Sequence, residues 1–228
     1  MCGRYGLTVD TSKLQERFET SNTLPDTQPR YNIAPTQELP VIVRTSPNSM
    51  MLMQWGLIPS WSKEPKVSYS TINARAENLL KSSVYKKPFL SQRCLVPASG
   101  FFEWQQTSDG KQPYYIHLQD TDVFAFAGLY DIWRDKKGHE LHSYTIITTT
   151  PNDLVAAIHN RMPIILRRDD EDAWLDHDAD QDRLLSLLTP YPAEEMSAYR
   201  VSTWVNSPSN DTPQVLEPLE QVETQRRG

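Results

Sequence analysis

The second residue of the chain is a cysteine, in the opening run MCGRY. Initiator methionine is normally removed ahead of a small residue, and its loss would leave a free α-amine and a thiol together on Cys2. An α-amine has a reference pKa of about 7.7–8.0, against about 10.4 for lysine, so far more of it is neutral and nucleophilic at pH 7. The thiol beside it, near pKa ~8.5, is a strong nucleophile once ionised. Such an aminothiol takes up an aldehyde as an imine, which the sulfur then closes into a five-membered thiazolidine. An internal cysteine has no route to that product. Position alone fits more readily a small buried residue behind a retained Met1.

Three further segments set polar groups among apolar neighbours. In TINARAEN, Asn73 and Arg75 fall at a strand-to-helix junction, where Asn73 serves either as a helix cap or as an amide facing a ligand. In SGFFEW, Glu103 lies between Phe102 and Trp104; facing inward it acquires a raised pKa suited to acid–base work, and facing outward it is an ordinary strand carboxylate. In AIHNRMP, His159 closes an apolar helix ahead of Arg161, a position that also suits a plain dipole partner. HELH (139–142) has its second histidine one residue too early for a zincin, and the 5 histidines show no ligand spacing, so no metal is expected. Phosphate-binding glycine loops and a Gly-x-Ser-x-Gly elbow are missing, and no cofactor is implied.

The elements that must position these groups are mostly strands. KLQERFE (13–19) has amphipathic helical spacing, and residues 24–40 form a proline-punctuated loop. PVIVRT and MMLMQWGLI read as a hairpin about SPNS, and 73–83 as a helix. RCLVPASGFFEW, PYYIHLQ, VFAFAGLYDIW and HSYTIITTT are β-like runs. A helix starts at Thr150 as cap, with Pro151 first and Asp153 completing a capping box, and ends near His159. EDAWL and DRLLSLL are later helices, and the chain from Ser207 is irregular. Strands that follow one another without regular intervening helices indicate a single, β-rich, largely antiparallel α+β domain.

At 228 residues the chain buries a substantial core, and 38% hydrophobic with 10% aromatic residues is a globular composition. No run approaches the ~18 apolar residues of a membrane helix, and the two cysteines make no disulfide framework, so a cytoplasmic protein is expected. The net charge of −6 conceals an asymmetry: residues 1–93 carry 12 Lys and Arg against 7 Asp and Glu, and the remainder 11 against 22. Much of that acid lies in DDEDAWLDHDADQD (169–182), read as a solvated face. A basic groove for nucleic acid in the N-terminal half is compatible with this balance.

MCGRY, RYNIAPTQ, QWGLIPSW, INARAE, RCLVPASGFFEW, QPYYI, FAGLYDIW, TIITTTPN and IHNRMPIIL, in this order, resemble the SRAP family, named for an SOS response-associated peptidase. The resemblance runs through residue 208 and leaves 209–228 as a tail. It implies a barrel-like β core with peripheral helices, and a monomer that recognises abasic sites in single-stranded DNA and cross-links to them. Cys2 then forms the thiazolidine with the aldehyde of the opened sugar. By the same match Glu103 assists ring opening and proton transfer, Asn73 positions the amine, and His159 serves the sugar oxygen. Arg4, Arg75 and Arg161 would hold flanking phosphates, while Trp61, Trp104 and Pro35 would stack on or wedge between bases. Lyase and self-processing peptidase activities accompany this reading. Two alternatives are an N-terminal-nucleophile amidohydrolase, some of which also begin Met-Cys-Gly, and a non-catalytic single-strand-binding module.

Overall fold

The computed structural model describes residues 2–219, apart from 23, 25–27 and 46. β1 (Arg4–Leu7) is covered on both faces, which is why RYGL shows no alternation. α1 (Thr11–Phe18) starts at Asp10, whose carboxylate accepts from the Lys13 amide at 2.9 Å, and buries Thr11, Leu14 and Phe18. There follow β2 (Arg30–Ile33), β3 (Glu38–Val43), β4 (Ser49–Trp55), β5 (Asn73–Arg75), α2 (Lys86–Ser91), β6 (Arg93–Ala98), β7 (Gly100–Thr107) and β8 (Gly110–Leu118). The remainder comprises β9 (Phe124–Arg134), β10 (Glu140–Thr149), α3 (Asp153–Ala156), β11 (Met162–Pro163), β12 (Ile165–Leu166), α4 (Arg168–Leu175), α5 (Gln181–Ser186) and β13 (Met196–Arg200).

The strands form two sheets. One is open and antiparallel, in the order β13-β8-β7-β1-β2. In the other, β10-β4-β3-β6-β9 closes on itself because β9 pairs with β10 as well as with β6, giving a barrel without free edges. β5, β11 and β12 attach to its rim, and the pairings of β10 with β4 and β5 are parallel. The architecture is the β-rich α+β class with a barrel core.

The core lies within the barrel and between barrel and open sheet. Tyr5 of the open sheet meets Trp55 and Phe126 of the barrel edge-on, at centroid distances of 5.2 and 5.9 Å. Its buried hydroxyl is satisfied by Tyr144 at 2.7 Å. The outer face of the open sheet is covered by the C-terminal chain, which packs Val201, Val205 and Val215 on Phe102 and Tyr115. Gly100 is required beneath that layer, because a Cβ there would stand 2.3 Å from the Tyr115 ring. Among the described residues no helix is long and apolar enough to cross a membrane.

Several local expectations change. Residues 73–83 are not one helix: Asn73–Arg75 add a strand beside β10, and Ala76–Lys81 make a 3-10 turn. Burial of Asn73 and Ala74 in that pairing outweighs local helix preference. The proline-rich loop contains β2, since RYNI pairs with β1. The helix expected from Thr150 begins instead at Asn152, whose side chain caps the Val155 amide at 2.9 Å, and is only 4 residues long. The acidic segment is not wholly solvated, for Glu171 is buried against Arg17 and Trp174 is fully buried. The tail is folded through residue 219: Val215 is buried in a 3-10 turn, and Val201 bridges Pro218. Residues 220–228 of the expected tail lie outside the described part.

Candidate active site and nucleic-acid interface

Register assembles the site. β1 and β7 pair Arg4 with Phe102 and Tyr5 with Phe101, so continuing the ladder sets Gly3 across from Glu103 and brings Cys2 to the same end. β5 supplies Asn73, whose Nδ2 donates to the Cys2 carbonyl at 2.8 Å. The end of α3 is tied to β7 by Gln105 Nε2, which donates to the Ala157 carbonyl at 2.8 Å, and His159 follows two residues on. His159 Nδ1 then lies 3.9 Å from Glu103 Oε1, close enough for charge coupling and too long for a hydrogen bond. Cys2, Asn73, Glu103 and His159, far apart in sequence, therefore meet at one point.

The site is dry on the protein side. Cys2 is fully buried and Glu103 is 2% exposed. Burial raises the Glu103 pKa to about 7, so its carboxyl takes and gives protons near neutrality. Burial, followed by the Glu103 charge, pushes the Cys2 thiol up and keeps it protonated. His159 is held below its ordinary value by burial and is neutral at pH 7. Its Nδ1 is held by the Arg161 backbone, with the amide at 3.1 Å and the carbonyl at 3.3 Å. Among the described residues Asn73 Oδ1 is buried without a partner, an unused acceptor on the residue that holds Cys2. Among the described residues no group of three or more His, Cys, Asp or Glu could hold a metal ion.

The three arginines divide by role. Arg75 is exposed, its guanidinium makes no hydrogen bond or ion pair to the described residues, and it lines a cleft of about 480 Å³ with Asn73, Lys81 and Tyr85. Tyr85 shapes that wall by donating to the Ser70 and Asn73 carbonyls at 3.1 and 3.3 Å. Arg161 is buried in a paired bridge to Glu77 and also donates to the Thr148 carbonyl at 2.6 Å. Arg4 donates to Asn32 Oδ1 and to the Val205 and Asn206 carbonyls at 2.8–2.9 Å, tying β1 to the C-terminal chain. Both therefore spend donors on the scaffold.

Trp104 is half-buried, with its indole N–H on Asn206 Oδ1 at 2.8 Å, whereas Trp61 is 65% exposed. Pro35 starts the tight turn between β2 and β3, where Thr36 takes φ +75°. Sequence reasoning missed Asn32, a buried amide whose Nδ2 donates to the Val205, Ser207 and Asn210 carbonyls. It also missed Glu77, and no local signal pointed to either, because even the nearest of these partners, Arg4 for Asn32 and Arg161 for Glu77, are 28 and 84 residues away.

The chain matches the family described as SOS response associated peptidase (SRAP) over residues 1–208. It belongs to the SRAP family. Among SRAP relatives, the abasic site processing protein YoqW of Bacillus subtilis is 43% identical over 222 residues, which cover 95% of this chain and 99% of that one. The abasic site processing protein HMCES of Gallus gallus is 36% identical over 264 residues, covering 96% of this chain and 78% of that protein. A solved structure from Bacteroides thetaiotaomicron, 28% identical, superposes with a TM-score of 0.88 over 96% of this SRAP chain and all of the other.

Proposed function

We propose that this SRAP protein recognises abasic sites in single-stranded DNA and joins them covalently through Cys2 once Met1 is gone. The observation that carries the reading is the convergence of Asn73, Glu103 and His159 on Cys2, with Asn73 bonded to the Cys2 carbonyl at 2.8 Å. The opened abasic sugar offers an aldehyde. The Cys2 amine adds to it, the carbinolamine loses water to give an imine, and the thiol adds across the C=N bond while its proton passes to nitrogen. The product is a thiazolidine, with one water released overall.

Glu103, titrating near 7, suits each proton transfer: it is acid enough to assist ring opening and basic enough to receive the thiol proton. A protonated, buried thiol spares Cys2 from oxidation and metal capture until the imine is in place. Neutral His159 serves the sugar oxygen through its imidazole, and exposed Arg75 offers an unspent guanidinium to a flanking phosphate. The same imine opens a β-elimination path, so strand cleavage in competition with ring closure belongs to this reading, as does self-processing that frees the Cys2 amine. A single-stranded oligonucleotide with one abasic site should raise the intact mass by one DNA strand less one water. The Cys2→Ala protein should form no stable adduct, and an undiminished adduct refutes the thiazolidine.

A further inference from the structure

Trp61 is the most exposed large apolar side chain among the described residues, at 65%. The chain leading to it is not loose. Gly56 N donates to the Tyr144 carbonyl at 2.8 Å, Leu57 N to the Thr71 carbonyl at 3.1 Å, and Ile58 N to Ser143 Oγ at 2.8 Å. Ser60 N donates to Asp131 Oδ2 at 2.7 Å, and Trp133 Nε1 donates to the Ser62 carbonyl at 2.7 Å. Ser143 is fully buried and Asp131 is 3% exposed.

Asp131 is the unusual member. Its other bonds come from the Ile132 amide at 2.9 Å and from Gln92 Nε2 at 3.4 Å, so among the described residues this buried carboxylate is held by neutral donors without an ion pair. Burying a carboxylate is costly, and an apolar side chain would fill a β9 position more cheaply. The return is a rigid loop with an indole at its tip.

The surroundings point to the occupant. Lys63 and Lys66 are exposed directly after Trp61, and Leu57 bonds Thr71, which leads into Asn73 and the exposed Arg75. Lys63 and Lys66 outnumber the exposed Glu64 between them, and an aromatic face flanked by net positive charge is how a single strand is gripped by base stacking.

We propose that Asp131 is a positioning residue for single-stranded DNA, holding through the Ser60 amide the loop that presents Trp61 as a stacking surface. This rests on the DNA reading above and adds to it the carboxylate that sets the loop. The test is equilibrium binding of a labelled, undamaged single-stranded oligonucleotide, followed by fluorescence anisotropy, together with the adduct rate at saturating abasic DNA. Trp61→Ala should weaken binding about 10-fold, the effect of losing one stacked base. Asp131→Ala should weaken it by a similar factor, and the double variant by no more than Trp61→Ala alone. Neither variant's adduct rate at saturating abasic DNA should fall by more than its binding does.

If Asp131→Ala melts early, Ser143→Ala, which frees the Ile58 amide instead, must show the same coupling to Trp61. Multiplying losses overturn the proposal, as does unchanged binding in Trp61→Ala or a fall in saturated rate without weaker binding. Normal binding without any adduct counts against the cross-linking function and leaves the binding arm to judge the loop. Absence of binding by the parent protein overturns both.

Discussion

Replacing Glu103 with glutamine should make the protein more stable above neutrality while slowing its chemistry. The folded carboxyl titrates near 7 because it is buried, whereas in the unfolded chain it titrates near 4.5. Between those values the folded chain keeps a proton that the unfolded chain has lost, so raising the pH withdraws stability across the window, and the loss is complete above it. At ~1.4 kcal/mol per pH unit the gap comes to about 3 kcal/mol. Glutamine cannot ionise and lacks this slope. Urea unfolding of parent and Glu103→Gln at pH 5 and pH 8 isolates it, because every other titrating group, Glu171 included, largely cancels in the comparison. The variant should gain about 2.5 kcal/mol relative to the parent on going from pH 5 to pH 8, since a small part of the loss has already occurred at pH 5. Profiles parallel to within about 1 kcal/mol would refute the buried, proton-holding carboxyl and its assignment as acid and base. The parent's adduct rate should also carry a pH transition near 7 that the variant loses.

Thr36→Gly relieves a β-branched residue held at φ +75°, and after the entropy cost of glycine it should stabilise by up to ~1 kcal/mol in urea; a loss of that size contradicts strain in the Pro35 turn. Arg93 is buried and donates to the Trp174, Phe89 and Leu90 carbonyls at 2.7–2.8 Å and also to that of Asp176, closing the C-terminal ends of α2 and α4 together. Arg93→Ala should cost about 3 kcal/mol or more and lower the melting temperature by ~6–12 °C, with Arg93→Lys rescuing little because an ammonium cannot fork to several carbonyls. A shift under ~3 °C would show that water satisfies those carbonyls instead.

The candidate chemistry was legible because it sits in residue types and local surroundings. A candidate aminothiol, conditional on loss of Met1, is suggested by the order of two letters, and a glutamate among Phe101, Phe102 and Trp104 advertises desolvation whatever the fold. The class of fold was legible in the same way, since period-2 runs with few intervening helices leave little besides a β-rich domain. α1 and its Asp10 cap follow from purely local signals. The segment 73–83 misled for the opposite reason: its letters favour a helix, and only pairing with β10 makes Asn73–Arg75 a strand.

Which carboxylate meets which histidine was decided by tertiary structure, as was which arginine remains free. Arg4, Arg75 and Arg161 are equivalent in sequence, each within two residues of a reactive position. Glu77 and the C-terminal carbonyls occupy two of them and leave Arg75 exposed. The barrel closure between β9 and β10, and the Asp131 bond to Ser60 across 71 residues, are likewise invisible in any window of the chain. Hydrophobic period and residue chemistry are local properties, so the sequence by itself determined the reagents and the class of scaffold. Register and hydrogen-bond partnership over long separations are not local, and the folded structure alone decided how these groups are brought together and which charges stay exposed.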